Sequence, residues 1–339
     1  MLSSTNLIKN SNNISKDSHK IFITLAADYG NIGDMAITIA QAKILEELFP
    51  NTQIIEIPLS QTYDSINFIK KIANENDIFT IIGGGTMGNV YTKIEDQRRF
   101  FIENFRNNKI ISFPQSIDFS NDEYGKKEFE KTINIYKNAK NLTIFSRELK
   151  SYNIMKDSFY NQIKLVPDVV LYLSPSINKN LKTLDRKNIT ICFRNDKEKI
   201  TTKDFKADIG ELLINNGYDD IKIQDSHIGA VTVSPEERYG ILYDFLNQLR
   251  EAKLVITDRL HGMIFSAITN TPCIAFDNSN KKISSTYETW LKDFKFIRYM
   301  EKYDEKQFLQ SVNELCSISE QKENIDLTDK FKPLFNSLL

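Results

Sequence analysis

A doubly wound α/β protein with two Rossmann-like domains facing across a cleft is the fold this chain predicts, on three observations. Short apolar runs alternate with longer amphipathic stretches from Lys20 nearly to the C-terminus. The runs are apolar almost throughout, rather than at every second residue, as parallel strands covered on both faces require. The alternation pauses once, at the polar SPSINKNLKTLDRKN segment (174–188), and then restarts. At 339 residues the chain is long enough for two buried cores.

KIFITLA (20–26) reads as the first strand, followed by the helix DMAITIAQAKILEELF (34–49). QIIEI (53–57) and a helix over 61–74 come next. DIFTII (77–82) runs into a glycine loop and the helix DQRRFFIENFRNN (96–108); KIISF (109–113) and NLTIF (141–145) continue the sheet. After the pause come ITICF (189–193), a helix over 202–215, DIKIQ (220–224) and a helix over 235–250. AKLVIT (252–257), a helix from 259, PCIAF (272–276), a helix over 282–291, KFIRY (295–299) and two helical stretches complete the chain. The divisions expected are a flexible tail (1–19), an N-terminal domain (20–175), a linker (176–188), a C-terminal domain (189–318) and a C-terminal helix (319–339).

Composition removes several function classes. Forty-four Lys and Arg stand against 45 Asp and Glu, a net charge of −1, so nothing global draws the protein to nucleic acid or anionic lipid. Three scattered cysteines, Cys192, Cys273 and Cys316, without a CxxC pair, suggest buried thiols in a reducing compartment. The polar N-terminus lacks the apolar core of a signal peptide, and no run of about 18 apolar residues occurs. The expectation is a cytoplasmic protein. No residues have metal-ligand spacing, so no metal is expected. Neither a GxSxG elbow nor a P-loop lysine motif is present.

Gly83, Gly85 and Gly88 have the G-x-G-x-x-G spacing of a dinucleotide fingerprint. That motif needs an acid at the end of the next strand to hold the ribose. KIISF ends instead in Pro114-Gln115-Ser116, so the dinucleotide reading fails. What remains is a glycine loop, with Gly84, Gly85 and Thr86 open to a ligand.

In such sheets the working loops follow the carboxyl ends of the strands. After the first strand, Asp28, Gly30, Asn31, Gly33 and Asp34 form either a hydroxyl-binding loop suited to a sugar or a tight turn with Asp34 as helix cap. Gln115 and Ser116 are polar groups displayed past KIISF, or an ordinary turn. Arg147 reaches an anion or pairs a neighbouring carboxylate; Asp168 caps a helix or holds the domain junction. In the second half, three strand ends present Arg194, then Arg259 with His261 and Gly262, then Lys281 with Lys282. Arg259 and His261 precede a helix, whose N-terminal amides and dipole favour anions. Convergent cations there read as a phosphate or phosphate-plus-carboxylate site. His261 is read as functional because the chain has three histidines and this one falls at the densest polar strand end.

The order GNIGD (30–34), GGGT (83–86), FPQSI (113–117), SRE (146–148), PDVVL (167–171) and DRLHGMIFSAITNTPCIAF (258–276) resembles the polysaccharide pyruvyl transferases. Asn270, where that family often has glycine, is a minor departure away from the site. The resemblance implies a glycosyltransferase-B-like fold and transfer of pyruvyl from phosphoenolpyruvate to two sugar hydroxyls, with phosphate released and no cofactor. It implies that Arg194 and Arg259 clamp the donor, with Lys281 or Lys282 closing the site. His261 would protonate the donor's methylene carbon, and Asp34 or Asp28 would take the acceptor's proton. The acceptor, nucleotide- or lipid-linked, would lie on the first-domain loops; a lipid-linked one would bring the enzyme to the inner membrane face. Two other readings share these residues: a sugar-nucleotide glycosyltransferase, told apart by uridine diphosphate release, and a non-catalytic sugar- or nucleotide-binding regulator, told apart by absence of turnover.

Overall fold

Two parallel sheets carry the chain in the computed structural model, which describes residues 15–179, 186–194, 203–277, 280–318 and 325–339 and the backbone of Leu2–Ser3. The first sheet uses Leu2–Ser3 (β1), Lys20–Ala26 (β2), Gln53–Pro58 (β4), Ile78–Ile81 (β5), Lys109–Asp118 (β7), Leu142–Ser146 (β8) and Gln162–Leu165 (β9). Their spatial order is β1-β4-β2-β5-β7-β8-β9, and Gly84–Gly88 (β6) pairs onto β7. The second sheet runs β11-β10-β13-β14-β15, from Asn188–Cys192 (β10), Ile221–Ile223 (β11), Ala252–Thr257 (β13), Cys273–Phe276 (β14) and Ile297–Met300 (β15). A short antiparallel pair, Tyr29–Asn31 (β3) with His227–Thr232 (β12), joins the two halves.

Helices cover both faces as the apolar strands require. Ile32–Leu48 (α1), Ile66–Ile72 (α2), Thr92–Asn104 (α3), Glu123–Tyr136 (α4) and Leu149–Ser158 (α5) belong to the first half. Ser174–Lys179 (α6) leads away from it, so the expected linker 176–188 starts as helix; its residues 180–185 lie outside the described residues. Lys203–Asn215 (α7), Pro235–Arg250 (α8), Leu260–Ile268 (α9), Lys282–Thr286 (α10) and Glu305–Cys316 (α11) belong to the second half. Lys332–Leu338 (α12) returns to the first sheet. There Lys109 Nζ donates to Leu338 O (2.8 Å) and Lys164 Nζ to Ser337 Oγ (2.6 Å). One apolar core runs through both halves, from Ile21 and Phe79 to Met263 and Phe265. Burial pushes the Cys192 and Cys273 thiols up to about 12, which keeps them protonated.

Several expectations change. The tail 1–19 contributes the edge strand β1, whereas 4–14 lies outside the described residues. The helix over 61–74 is a 3-10 turn at Leu59–Gln61 and then α2. Thr62 and Ser65 hydroxyls donate to the Leu59 and Gln61 carbonyls there, offering the backbone an alternative to a continuous helix. KIISF does not end at Phe113. β7 runs through FPQSI to Asp118, with Pro114 at a register shift between Ser112 and Gln115, where its missing N–H costs no ladder bond.

A buried ion pair ties the halves. Arg238 of α8 donates to Glu56 of β4, both almost fully enclosed. Removing one member strands the other charge, at about 3–5 kcal/mol. Glu56→Ala is therefore expected to lower the denaturant midpoint by that equivalent; an unchanged midpoint would mean the pair contributes nothing.

Candidate active site

Strand adjacency assembles the site. β10, β13 and β14 are neighbours, so Arg194, Arg259 with His261, and Lys282 emerge side by side. Facing them are the ends of β2, β6, β8 and β9 of the first sheet. Between the two lies a cavity of about 720 Å³ lined by Asp34, Arg147, Arg194, Arg259, His261 and Lys282, among others. That volume falls in the range of small-molecule sites.

α9 begins just after Arg259, its N-cap. The Arg259 guanidinium is fixed by Asp225, Nη2 to Oδ1 2.6 Å. Arg194 is held through its backbone, whose N–H donates to Asp258 Oδ1 at 2.6 Å. Gly262 does not reach the cavity: a Cβ there would lie 2.3 Å from Thr257 Oγ1, so it serves helix-to-strand packing. Lys281 is also displaced from its expected place. It takes a left-handed φ of 57° as N-cap of α10 and faces solvent, which turns Lys282 inward instead.

His261 reaches across to the first half. Its Nε2 is buried, 3.6 Å from Asp168 Oδ2, and its Nδ1 edge lies over Gly33: a Cβ at position 33 would sit 2.2 Å from that nitrogen. Asp168 does three things at once. Oδ1 accepts from Val170 N (3.0 Å), while Oδ2 takes the Arg147 Nη1 donor (2.8 Å) and faces His261. Burial alone would raise the Asp168 carboxyl; His261 and Arg147 outweigh burial and hold it below the ordinary carboxylate range.

Asp34 is not the cap of α1. Asn31 is, its Oδ1 accepting from Gly33 N (2.9 Å) and Asp34 N (3.3 Å). Asp34 lies in the first turn, and its Oδ2 accepts from Tyr29 Oη at 2.9 Å. Burial raises the Asp34 carboxyl; His261, Tyr29 and Arg147 pull it only partly back. Burial, with the Asp34 charge beside it, lifts the Tyr29 hydroxyl well above its ordinary value, so Tyr29 remains a donor.

The remaining first-half residues divide. Asp28, Asn31, Gly85 and Thr86 line the cavity. Asp28 Oδ2 accepts from Ser60 N at 3.4 Å; Arg98 Nη2 donates to Thr86 Oγ1 at 2.8 Å. Gly30 instead meets the second half, since a Cβ there would lie 2.1 Å from Gly229 O. Gly84 has φ +120°, a conformation reserved for glycine, and packs beside Ile37. Gln115 and Ser116 are wholly buried within β7. Their polar groups bond Ile82 O and Arg147 Nε, so they hold the cavity wall together and are not displayed to a ligand.

Sequence reasoning missed other lining residues: Tyr29, Tyr91, Lys93, Gln97 and His227. Tyr29, Tyr91 and His227 follow the parallel strands β2, β6 and β11 by three or four residues, but a tyrosine or a lone histidine there carries no anion- or hydroxyl-binding pattern. Tyr29 and His227 lie on the cross-half pair; Lys93 and Gln97 are on α3. His227 Nδ1 accepts from Gly229 N at 3.0 Å. Among the described residues no His, Cys, Asp and Glu group could hold a metal, and no helix is long and apolar enough to cross a membrane.

Residues 31–280 match the family described as polysaccharide pyruvyl transferase. General stress protein 30 of Bacillus subtilis is 36% identical, over 94% of this chain and 91% of its own. Pyruvyl transferase 1 of Schizosaccharomyces pombe is 28% identical, over 78% and 68%. Among solved structures, the UDP-GlcNAc 2-epimerase of Methanocaldococcus jannaschii, in complex with UDP-GlcNAc and UDP, superposes with a TM-score of 0.55. It shares 12% identity over 94% of this chain and 99% of that one, a likeness of fold that makes the architecture glycosyltransferase-B-like. With the family match spanning both sheets and the His261 strand end, the chain is a transferase and belongs to the polysaccharide pyruvyl transferase family.

Proposed function

We propose that this transferase moves the pyruvyl group of phosphoenolpyruvate onto two hydroxyls of one sugar, closing a cyclic ketal and releasing phosphate. The product serves exopolysaccharide, capsule or cell-wall glycan synthesis. The observation that carries the reading is His261, set at the cavity between two first-half carboxylates and beside the Arg194 and Arg259 cations. The work is cytoplasmic, at the inner membrane face when the acceptor is lipid-linked.

In this reading the phosphate rests against Arg194, Arg259 and the α9 N-terminus, which stabilise the charge that grows as the ester bond breaks. His261 protonates the methylene carbon, leaving the adjacent carbon electrophilic. One hydroxyl adds there as Asp34 takes its proton; the second hydroxyl then displaces phosphate. Of the two hydroxyl protons lost, one balances that delivered to carbon and the other leaves with phosphate. No electrons change hands, so no redox cofactor enters. Asp168 remains ionised and faces His261 Nε2, orienting the ring.

Acceptor-dependent phosphate release from phosphoenolpyruvate, across a panel of free, nucleotide-linked and lipid-linked sugars, tests the reading. Release of uridine diphosphate from a sugar nucleotide, with none of phosphate, would overturn it. The base also leaves a mark on pH dependence. Asp34 must be ionised to act, and its carboxyl is raised, so turnover falls with acid already above the ordinary carboxylate range. Asp34→Asn is expected to lower turnover and abolish that acid limb. A limb that persists in the variant belongs to another group.

A further inference from the structure

At the opposite end of the first sheet from the central cavity lies a second cavity, of about 480 Å³. The central cavity uses the carboxyl ends of the strands; this one is built on their amino ends. Lys109 is the first residue of β7, and Gln115 at the central cavity wall stands six residues further along, about 20 Å at the rise of a strand. Register sets the floor: Ile111 of β7 lies beside Thr143 of β8, and Thr143 beside Gln162 of β9. Alternation then places Lys109 and Lys164, each two residues from that row, on the same face. Lys140 enters from the turn before β8, and α12 supplies Asn336 and Ser337.

α12 holds two of these lysines in place. Lys109 Nζ donates to Leu338 O (2.8 Å) and Lys164 Nζ to Ser337 Oγ (2.6 Å). Both acceptors are neutral, and each ammonium keeps further N–H groups to give. No carboxylate is among the described residues that line the cavity. Burial alone acts on the Lys109 ammonium and lowers its pKa, with no anion to offset it. The Thr143 hydroxyl donates to Gln162 Oε1 at 3.4 Å, which commits that oxygen and leaves the Gln162 amide N–H₂ to a ligand. The recess therefore offers mainly donors, with the positive charges of Lys109, Lys140 and Lys164 and no counter-charge.

Partly desolvated like charges carry a cost that a bound anion removes. A lone carboxylate would leave most of that charge unmatched, whereas a phosphate group brings up to two negative charges and accepts from lysine point charges. The volume exceeds that of a single ion and falls in the range of small-molecule sites. We propose that this recess binds the phosphate group of a small phosphorylated molecule, a sugar phosphate or a nucleotide, remote from the reacting centre. Because Ser337 and Leu338 hold two of the ammoniums, the bound anion also fastens α12 to the first sheet. The site does not depend on which reaction the central cavity performs.

The test titrates inorganic pyrophosphate by calorimetry into the full-length Arg259→Ala chain, whose central phosphate site is weakened. One saturable site is expected to remain, with a Kd that rises with salt as an ionic contact requires. In that background Lys164→Met is expected to weaken pyrophosphate about tenfold or more, the contribution of a charge-assisted hydrogen bond. Lys140→Met, at an exposed residue away from α12, weakens it as well and leaves the melting temperature unchanged. Lysine acetylation of wild type, read by peptide mass spectrometry, is the second measurement. Pyrophosphate protects Lys109, Lys140 and Lys164 and leaves the exposed Lys253 of the second half as reactive as before. Tighter binding of glucose 1-phosphate than of uridine diphosphate marks a sugar-phosphate site, and the reverse order a nucleotide site. Absence of a saturable site in Arg259→Ala, or lysines left unprotected in wild type, overturns the proposal. So does an affinity that both lysine variants leave unchanged, or a recess that takes pyrophosphate but neither organic phosphate.

Discussion

His261→Ala is expected to lower acceptor-dependent phosphate release by about 10²–10⁴-fold, the usual contribution of a positioned general acid. The loss falls on kcat. Donor binding depends on Arg194, Arg259 and the helix N-terminus, none of which the substitution removes. Stability should change little, because Asp168 keeps its Arg147 partner and its Val170 amide when the imidazole is gone. Steady-state phosphate release, read beside a thermal melt, separates these. Turnover within a few-fold of wild type would remove His261 from the chemistry, and a large fall in Tm would make its role structural.

Gly33→Ala is expected to cost about 10²-fold in turnover without touching substrate. The added methyl group would sit 2.2 Å from His261 Nδ1 and under 3 Å from Cγ and Cε1, so the imidazole must move. A displacement near 1 Å at a reacting group costs about that much. Gly33 lies in the first turn of α1 with an ordinary backbone, where alanine favours the helix by up to about 1 kcal/mol. Activity and helix propensity therefore change in opposite directions. Crystals of the variant should show the ring turned from Asp168. Full activity in Gly33→Ala would mean that the imidazole tolerates a shifted position.

The parallel strands were legible because apolar runs between polar breaks have few alternative uses. The strands that sequence reasoning missed lack that signal. β6 is GGTMG, poor in β-forming residues, and is held by β7. β12 is HIGAVT, exposed along its length, and exists because β3 offers it a partner. Pro114 read as the end of a strand, so Gln115 and Ser116 were taken for cavity residues when the register shift carries β7 past it. On the site, the strand-end rule located Arg194, Arg259, His261 and Lys282. It could not choose between Lys281 and Lys282, because the choice depends on one left-handed residue.

Asp168 shows a different limit. A helix cap was foreseen for Asp168 and an unnamed carboxylate partner for Arg147, and the structure joins the two by making Asp168 that partner. What the sequence did not offer was the third neighbour, His261, 93 positions along the chain. Gly30 and Gly33 are similar: their neighbours, Gly229 O and the His261 ring, belong to the other half. Cross-half proximity has no local sequence signature, so motifs that looked like ligand loops turned out to be partly docking surfaces.

Room for the imidazole is made by one half and the imidazole itself is supplied by the other. The reacting centre is consequently a property of the docked pair and of neither sheet alone. Each half, expressed as a separate polypeptide, would carry an incomplete set of groups, and mixing the two would restore function only to the extent that they reassociate. The seam between the halves, with Glu56–Arg238 and the β3–β12 pair along it, thereby sets the fraction of molecules that are competent at any moment.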